Sequence, residues 1–284
     1  MVHEFNTELT AQEEWGWLLA LDLFFAGMGA ALFLLFLMFD LPPFVALLSL
    51  GFVALGAVVL LAELGHPLRA WRALCKPFSS WISRGVICVT LFVVFGALYS
   101  ASGFDSLAWL APQSEAARRA IGTVAAIAAL FVILYPGFVL AASPSIPFWN
   151  SPLLPVFFLT HSLMVASGLL FLLASSGLIS GNLQAMRFLG EVLIIVNLAL
   201  GIMYLGVSRS SGLAHRESVR RLNAGLLGLL FQGGAILVGM IIPLLMVLWL
   251  PSVLELAGLF ILIGGLLFRY CVLKAGVYVP FPLT

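Results

Sequence analysis

Charge is what this sequence lacks most. Asp, Glu, Lys and Arg together make up 9% of its 284 residues, against roughly 25% in soluble domains. The few charges nearly cancel, leaving a formal net charge of +1. That balance excludes a polyanionic partner such as nucleic acid. Cysteine is equally sparse. Cys75, Cys88 and Cys271 stand far apart, with no CxxC pair. They provide neither a four-cysteine iron–sulfur site nor a disulfide framework. Of the 4 histidines, only His66 and His161 lie where an axial haem ligand could stand, and His66 sits at a loop edge before Pro67. No haem, iron–sulfur cluster or other metal site is therefore expected in this chain. The first apolar run also lacks the basic stretch that precedes the core of a secretory signal, so it reads as a mature span.

Apolar residues are what is there: 63% of the chain. A soluble core of this size does not hide so much apolar surface, which makes lipid the solvent. A span needs about 20 mostly apolar residues at a rise of about 1.5 Å each. Eight windows satisfy this, at 17–39, 43–64, 84–103, 119–142, 153–176, 187–207, 225–249 and 252–270. The expected fold is all-α and polytopic, a single transmembrane domain over 1–284 with terminal tails at 1–16 and 271–284.

An even number of spans puts both ends on one face, here called side A. Side A also holds the 65–83, 143–152 and 208–224 loops. Its Lys and Arg residues are Arg69, Arg72, Lys76, Arg84, Arg209, Arg216, Arg220, Arg221, Arg269 and Lys274, whereas side B has Arg118, Arg119 and Arg187. Ten against three points side A to the cytoplasm by the positive-inside rule, with a periplasmic side A as the alternative, since a docking surface for an acidic protein is basic as well. Trp71, Phe78, Trp81 and Trp149 in or beside the side A loops fit either interfacial anchoring or a docking platform.

Ionisable groups inside a membrane are costly and mark function by default. Asp22, Tyr135 and His161 all fall roughly 8–12 Å below side A by helical rise. Glu63 closes the second span on the same face. Such groups can donate hydrogen bonds to the carbonyls of a quinone and exchange the protons its reduction takes up. Each can equally be a satisfied structural group that joins helices. Glu191 and Asn197 in the sixth span, with Gln232 in the seventh and Asp40 at side B, form a second set that fits a proton relay or plain interhelical bonding.

Four stretches resemble one known family. They are Trp15-Gly-Trp-Leu-Leu-Ala-Leu-Asp22 running on to Gly29; Leu64-Gly-His-Pro-Leu-Arg-Ala-Trp71 through Ser79-Ser-Trp-Ile-Ser-Arg-Gly85; Tyr135-Pro-Gly-Phe-Val-Leu140 with Pro147-Phe-Trp-Asn-Ser-Pro-Leu-Leu-Pro155; and Arg269-Tyr-Cys-Val-Leu-Lys-Ala-Gly276. Together, in this order, they resemble the NrfD/PsrC family of membrane subunits from polysulfide-reductase-type complexes. The resemblance implies two four-helix bundles without haem, and a quinone pocket (menaquinone or ubiquinone) beside the Tyr-x-Gly helix. By position Tyr135, in its motif with Gly137, would contact the quinone, with Asp22 and the region of Trp17 lining the pocket; His161 joins the candidate quinone site by its depth and chemistry, not by the resemblance. Glu191 matches a family carboxylate, and the polar-group reading adds Asp22, Glu63 and Asn197 to it as candidate proton carriers. The implied partners are a four-cluster ferredoxin-like iron–sulfur subunit and a molybdenum or tungsten bis-pterin catalytic subunit; the basic and aromatic side A groups Arg69, Arg72, Arg84 and Trp149 are the docking residues that loop composition suggests for the first of them. The chain departs from the family pattern at Asp22, where members carry Tyr, and near His161, where they carry Ser. The alternatives are a secondary transporter and a membrane anchor with no quinone chemistry of its own.

Overall fold

A computed structural model describes residues 9–63, 78 and 80–279. Eight helices among them are long and apolar enough to cross a membrane. We number the helices α1 Trp17–Phe39, α2 Pro43–Glu63, α3 Trp81–Ala101, α4 Glu115–Ala141, α5 Leu153–Ser175, α6 Leu183–Ser210, a short α7 Leu213–Arg221, α8 Gly225–Trp249 and α9 Leu254–Lys274. A short turn at Pro251–Val253 separates the last two. The fold is the expected all-α polytopic one.

Several helices begin before their apolar windows because polar caps start them. The Ser80 hydroxyl accepts from the Ser83 amide ahead of α3, Ser114 from Ala117 ahead of α4, and Asn182 from Ala185 ahead of α6. Asp40 ends α1 in a left-handed conformation, at φ 48°, a position where Asp is better tolerated than most residues.

Helices α1–α4 pack mainly on one another, as do α5, α6, α8 and α9. These are the two four-helix bundles. They meet where α1 contacts α5 and α9 and where α4 contacts α5. Small residues let the backbones approach, as is usual where packing rather than water drives association. A Cβ on Gly29 would lie 2.6 Å from the Ser49 carbonyl oxygen, and the Ser49 hydroxyl donates back to the Gly29 carbonyl at 2.7 Å. In the second bundle Gly239 and Gly264 cross so closely that a Cβ on Gly264 would come within 2.1 Å of the Gly239 Cα. From Leu229 to Ile241, α8 widens to i→i+5 hydrogen bonding. Pro243 follows directly and has no amide hydrogen for the carbonyl one turn back, so the ladder is already relaxed where the proline enters.

The two described ends are tied together on side A. Strand β1, Thr10–Ala11, pairs antiparallel with β2, Val277–Tyr278. Gln12 strengthens this tie. Its backbone amide donates to the Gly276 carbonyl at 2.9 Å, and its side-chain amide donates to Leu273 and Trp15 carbonyls at 3.0 and 3.1 Å. The boundaries expected for the tails therefore change. Residues 271–274 belong to α9, and part of each expected tail is a built clasp. Hydropathy does not register the pairing, because it is made by backbone groups.

Candidate functional site

Tyr135 and Asp22 come together in the first bundle. Asp22 is 3% exposed and faces α2, where a Cβ on Gly56 would stand 3.2 Å from its Oδ1. Tyr135 lies across Gly85 of α3, and a Cβ there would meet its ring at 2.4 Å. The Tyr135 hydroxyl is within electrostatic reach of Asp22 and of the Cys88 thiol, and Asp22 is within reach of Glu63. Neither Asp22 nor Tyr135 makes a side-chain hydrogen bond to a described residue. Above them, Trp81 stacks on Phe138 at 4.7 Å and the Arg84 guanidinium covers Trp81 at 4.5 Å. Arg84 also donates to the Phe78 carbonyl at 2.8 Å. The result is a buried acid and a half-buried phenol with spare hydrogen-bonding capacity, beside an aromatic layer on side A. A quinone fits this chemistry: its carbonyls accept from the phenol or a protonated carboxyl, and its ring stacks on aromatic faces.

His161 shares the depth of this pair but faces the other bundle's interior. It is fully buried and stacks on Phe268 at 4.3 Å, with Phe157 edge-on. Its neighbour there is Arg269, which sequence reasoning placed on the side A surface. Arg269 is 2% exposed. Its guanidinium donates to the Ser162 hydroxyl at 2.7 Å and the Phe158 carbonyl at 3.3 Å, and lies 3.8 Å from the Phe158 ring centre. The missed signal was distance from the helix end: Arg269 falls within α9, which runs on to Lys274.

The other expected residues take different places. Trp17 is partly exposed and stacks on Tyr270 at 3.9 Å, at the side A rim. Gly137 permits the close crossing of α4 and α5, since a Cβ on it would stand 2.4 Å from the Pro155 Cα. Asn197 is fully buried; its amide donates to the Leu193 carbonyl at 2.7 Å and its oxygen accepts from Thr160 at 3.3 Å. Glu191 is half-buried on the same helix. Trp149 requires a correction. It is 1% exposed, stacks on Trp15 at 4.9 Å and donates its indole N–H to the Val272 carbonyl at 3.0 Å. It is a structural post under the clasp, not a docking side chain. Arg69 and Arg72 lie outside the described residues. A surface cleft of about 470 Å³, lined by Leu9, Pro147, Leu213, His215 and Val279, lies apart from Tyr135 and holds none of the expected residues.

Similarity to known proteins covers almost the whole chain. The sequence matches the family described as "Polysulphide reductase, NrfD" over residues 6–280. It is 26% identical over 312 residues to the C subunit of polysulfide reductase from Wolinella succinogenes, spanning 97% of this protein and 96% of that one. It is also 26% identical over 306 residues to protein NrfD of Escherichia coli strain K12, spanning 92% and 94% of the two proteins. The eight apolar helices and this match agree, and the chain belongs to the NrfD polysulphide reductase family as a multi-pass integral membrane protein.

Proposed function

We propose that this chain is the quinone-reactive membrane subunit of an oxidoreductase complex, linking the membrane quinone pool to an iron–sulfur subunit. The observation that carries the reading is the pairing of half-buried Tyr135 with buried Asp22, the two packed against Gly85 and Gly56. Quinone supplies two-electron chemistry coupled to two protons. Tyr135 holds and orients a carbonyl. Asp22 holds a proton beside it, and Glu63, at the side A end of α2, interacts with Asp22 electrostatically. Trp81 and Phe138 keep water from the ring.

The partners follow from what this chain lacks in sequence. Its three cysteines do not build a cluster, so electrons must leave to a separate protein. We assign a ferredoxin-like iron–sulfur subunit to side A, near Arg84 and the loop whose sequence carries Arg69 and Arg72, with a molybdenum or tungsten bis-pterin enzyme as the terminal catalyst. With Arg269 buried, nine basic residues on side A still face three on side B, which favours a cytoplasmic side A.

Tyr135→Phe in the purified complex tests the reading. Loss of one hydrogen bond, about 0.5–1.5 kcal/mol, should slow quinone turnover by roughly two- to tenfold. Dye-linked activity of the catalytic partner should not change. Unaltered quinone kinetics would leave a structural anchor as the better description.

A further inference from the structure

We propose that Arg269 is a fixed positive barrier at the seam between the two bundles, closing the interior to protons, so that Asp22 exchanges protons with side A alone. The second clause rests on the quinone reading above; the barrier itself does not.

The two described ion pairs, Arg119–Glu115 and Arg220–Glu217, lie elsewhere, so no carboxylate among the described residues neutralises Arg269. A hydroxyl, a carbonyl and an aromatic face hold the guanidinium while leaving its charge uncancelled. Its Nη1 and both His161 ring nitrogens are buried without a hydrogen-bond partner among the described residues. The positive charge therefore projects into a region of low dielectric, where its field is strong.

Its place in the fold gives the charge a consequence. On α1, Asp22 faces Gly56 of α2, whereas Gly27, five residues further on, faces α5 and α9. A Cβ on Gly27 would lie 2.6 Å from the Ser162 hydroxyl and 3.4 Å from Arg269 Nη2. The guanidinium thus fills the gap between α1, α5 and α9. Beside it lies His161; the next residue of α5, Thr160, bonds to Asn197 of α6, and Glu191 stands six residues nearer side B on that helix. A path of polar groups running from Glu191 through Asn197, Thr160 and His161 meets Arg269 before it reaches α1.

A guanidinium has donors only and does not pass a proton on at ordinary pH. A fixed cation in a narrow path also repels an arriving proton, the device by which some membrane pores exclude cations. Packing adds to this. A Cβ on Gly265 would be 2.5 Å from Val165 Cγ2 and 3.7 Å from His161 Cε1. Asp22 on α1, Glu63 on α2, Cys88 on α3 and Tyr135 on α4 instead form a group of mutually interacting side chains in the first bundle, with Glu63 at the side A end of α2.

The test uses the whole complex in sealed vesicles with a pH-sensitive dye trapped inside. Under an imposed pH gradient with valinomycin and potassium, wild-type vesicles should leak protons no faster than protein-free vesicles. Arg269→Gln should raise the passive proton conductance at least tenfold, and Arg269→Lys should stay near wild type. These measurements involve no turnover, so they stand even if the quinone reading fails. A folded Arg269→Gln complex with wild-type conductance would overturn the barrier, as would a leaky wild type. If the Gln variant does not assemble, wild-type turnover with dyes on both faces decides. Protons of the quinone reaction should be exchanged on side A only, and exchange on side B overturns the proposal. A complex that shows no quinone turnover refutes the function proposed above, and the wild-type leak then decides the barrier.

Discussion

Gly85 and Tyr135 are fitted to each other across the α3–α4 interface: the tyrosine ring occupies the volume where any side chain on residue 85 would begin, 2.4 Å from where a Cβ would stand. The contact sets the ring's position and with it the height of the hydroxyl beside Asp22.

Gly85→Ala should therefore displace Tyr135 without touching its chemistry. Overpacking of this kind costs roughly 1–3 kcal/mol. We expect a lower melting temperature in detergent and quinone turnover reduced about as far as in Tyr135→Phe. Normal turnover in Gly85→Ala would show that the ring's position does not matter.

The Gly239–Gly264 crossing predicts a sharper packing effect. Gly264→Val has no flexible side chain to push aside, since the nearest atom is a backbone Cα at 2.1 Å. The second bundle should lose stability by about 3 kcal/mol or more. Gly206→Ala is the control, as nothing stands within 4 Å of its Cβ, and it should stay within about 0.5 kcal/mol of wild type. Thermal unfolding followed by circular dichroism distinguishes them, and equal melting of the two variants would contradict the crossing.

Trp149→Phe should weaken the clasp rather than the assembly. It removes the indole bond to Val272, worth about 0.5–1.5 kcal/mol, and keeps the aromatic stack on Trp15. Partner retention on size-exclusion chromatography should match wild type. Release of the iron–sulfur subunit by this change alone would return Trp149 to the docking surface.

His215, on the side A surface helix α7, predicts a pH dependence. Partial burial holds its pKa below 6.5, against an opposing interaction with the Pro147 backbone. The unfolded chain then binds the proton more readily than the folded one. Its stabilising contribution is present above pH 6.5 and is lost as the pH falls through the folded value. The melting temperature should drop between about pH 7.5 and 5.5, and His215→Gln should flatten that drop. A drop of the same size in the variant would assign it to other groups.

Topology is checked by reporter fusions. Fusions after Gly103 and Gly181 should report the face opposite to one at the C-terminus. All three on one face would refute eight crossings. A periplasmic C-terminus would keep the crossings and reverse the proposed orientation.

The sequence by itself determined the number of crossings, the all-α class and the family. Span number follows from runs of apolar residues long enough to match the bilayer, a property of composition along the chain. Tyr135 and Asp22 were legible as a pair because intramembrane polar groups are rare, and depth is countable from a helix end. Depth does not give direction. His161 lies at the same level as Tyr135 yet faces Phe268 and Arg269, because the angle at which a residue leaves its helix has meaning only once neighbouring helices are docked. Trp149 and Arg269 show the same limit. Both looked like surface groups near helix ends, and both are buried, one under a clasp made by backbone hydrogen bonds and the other by the meeting of α1, α5 and α9. Those choices belong to the tertiary structure alone, since they depend on which glycines let which backbones come close, and hydropathy sums along the chain do not encode that contact.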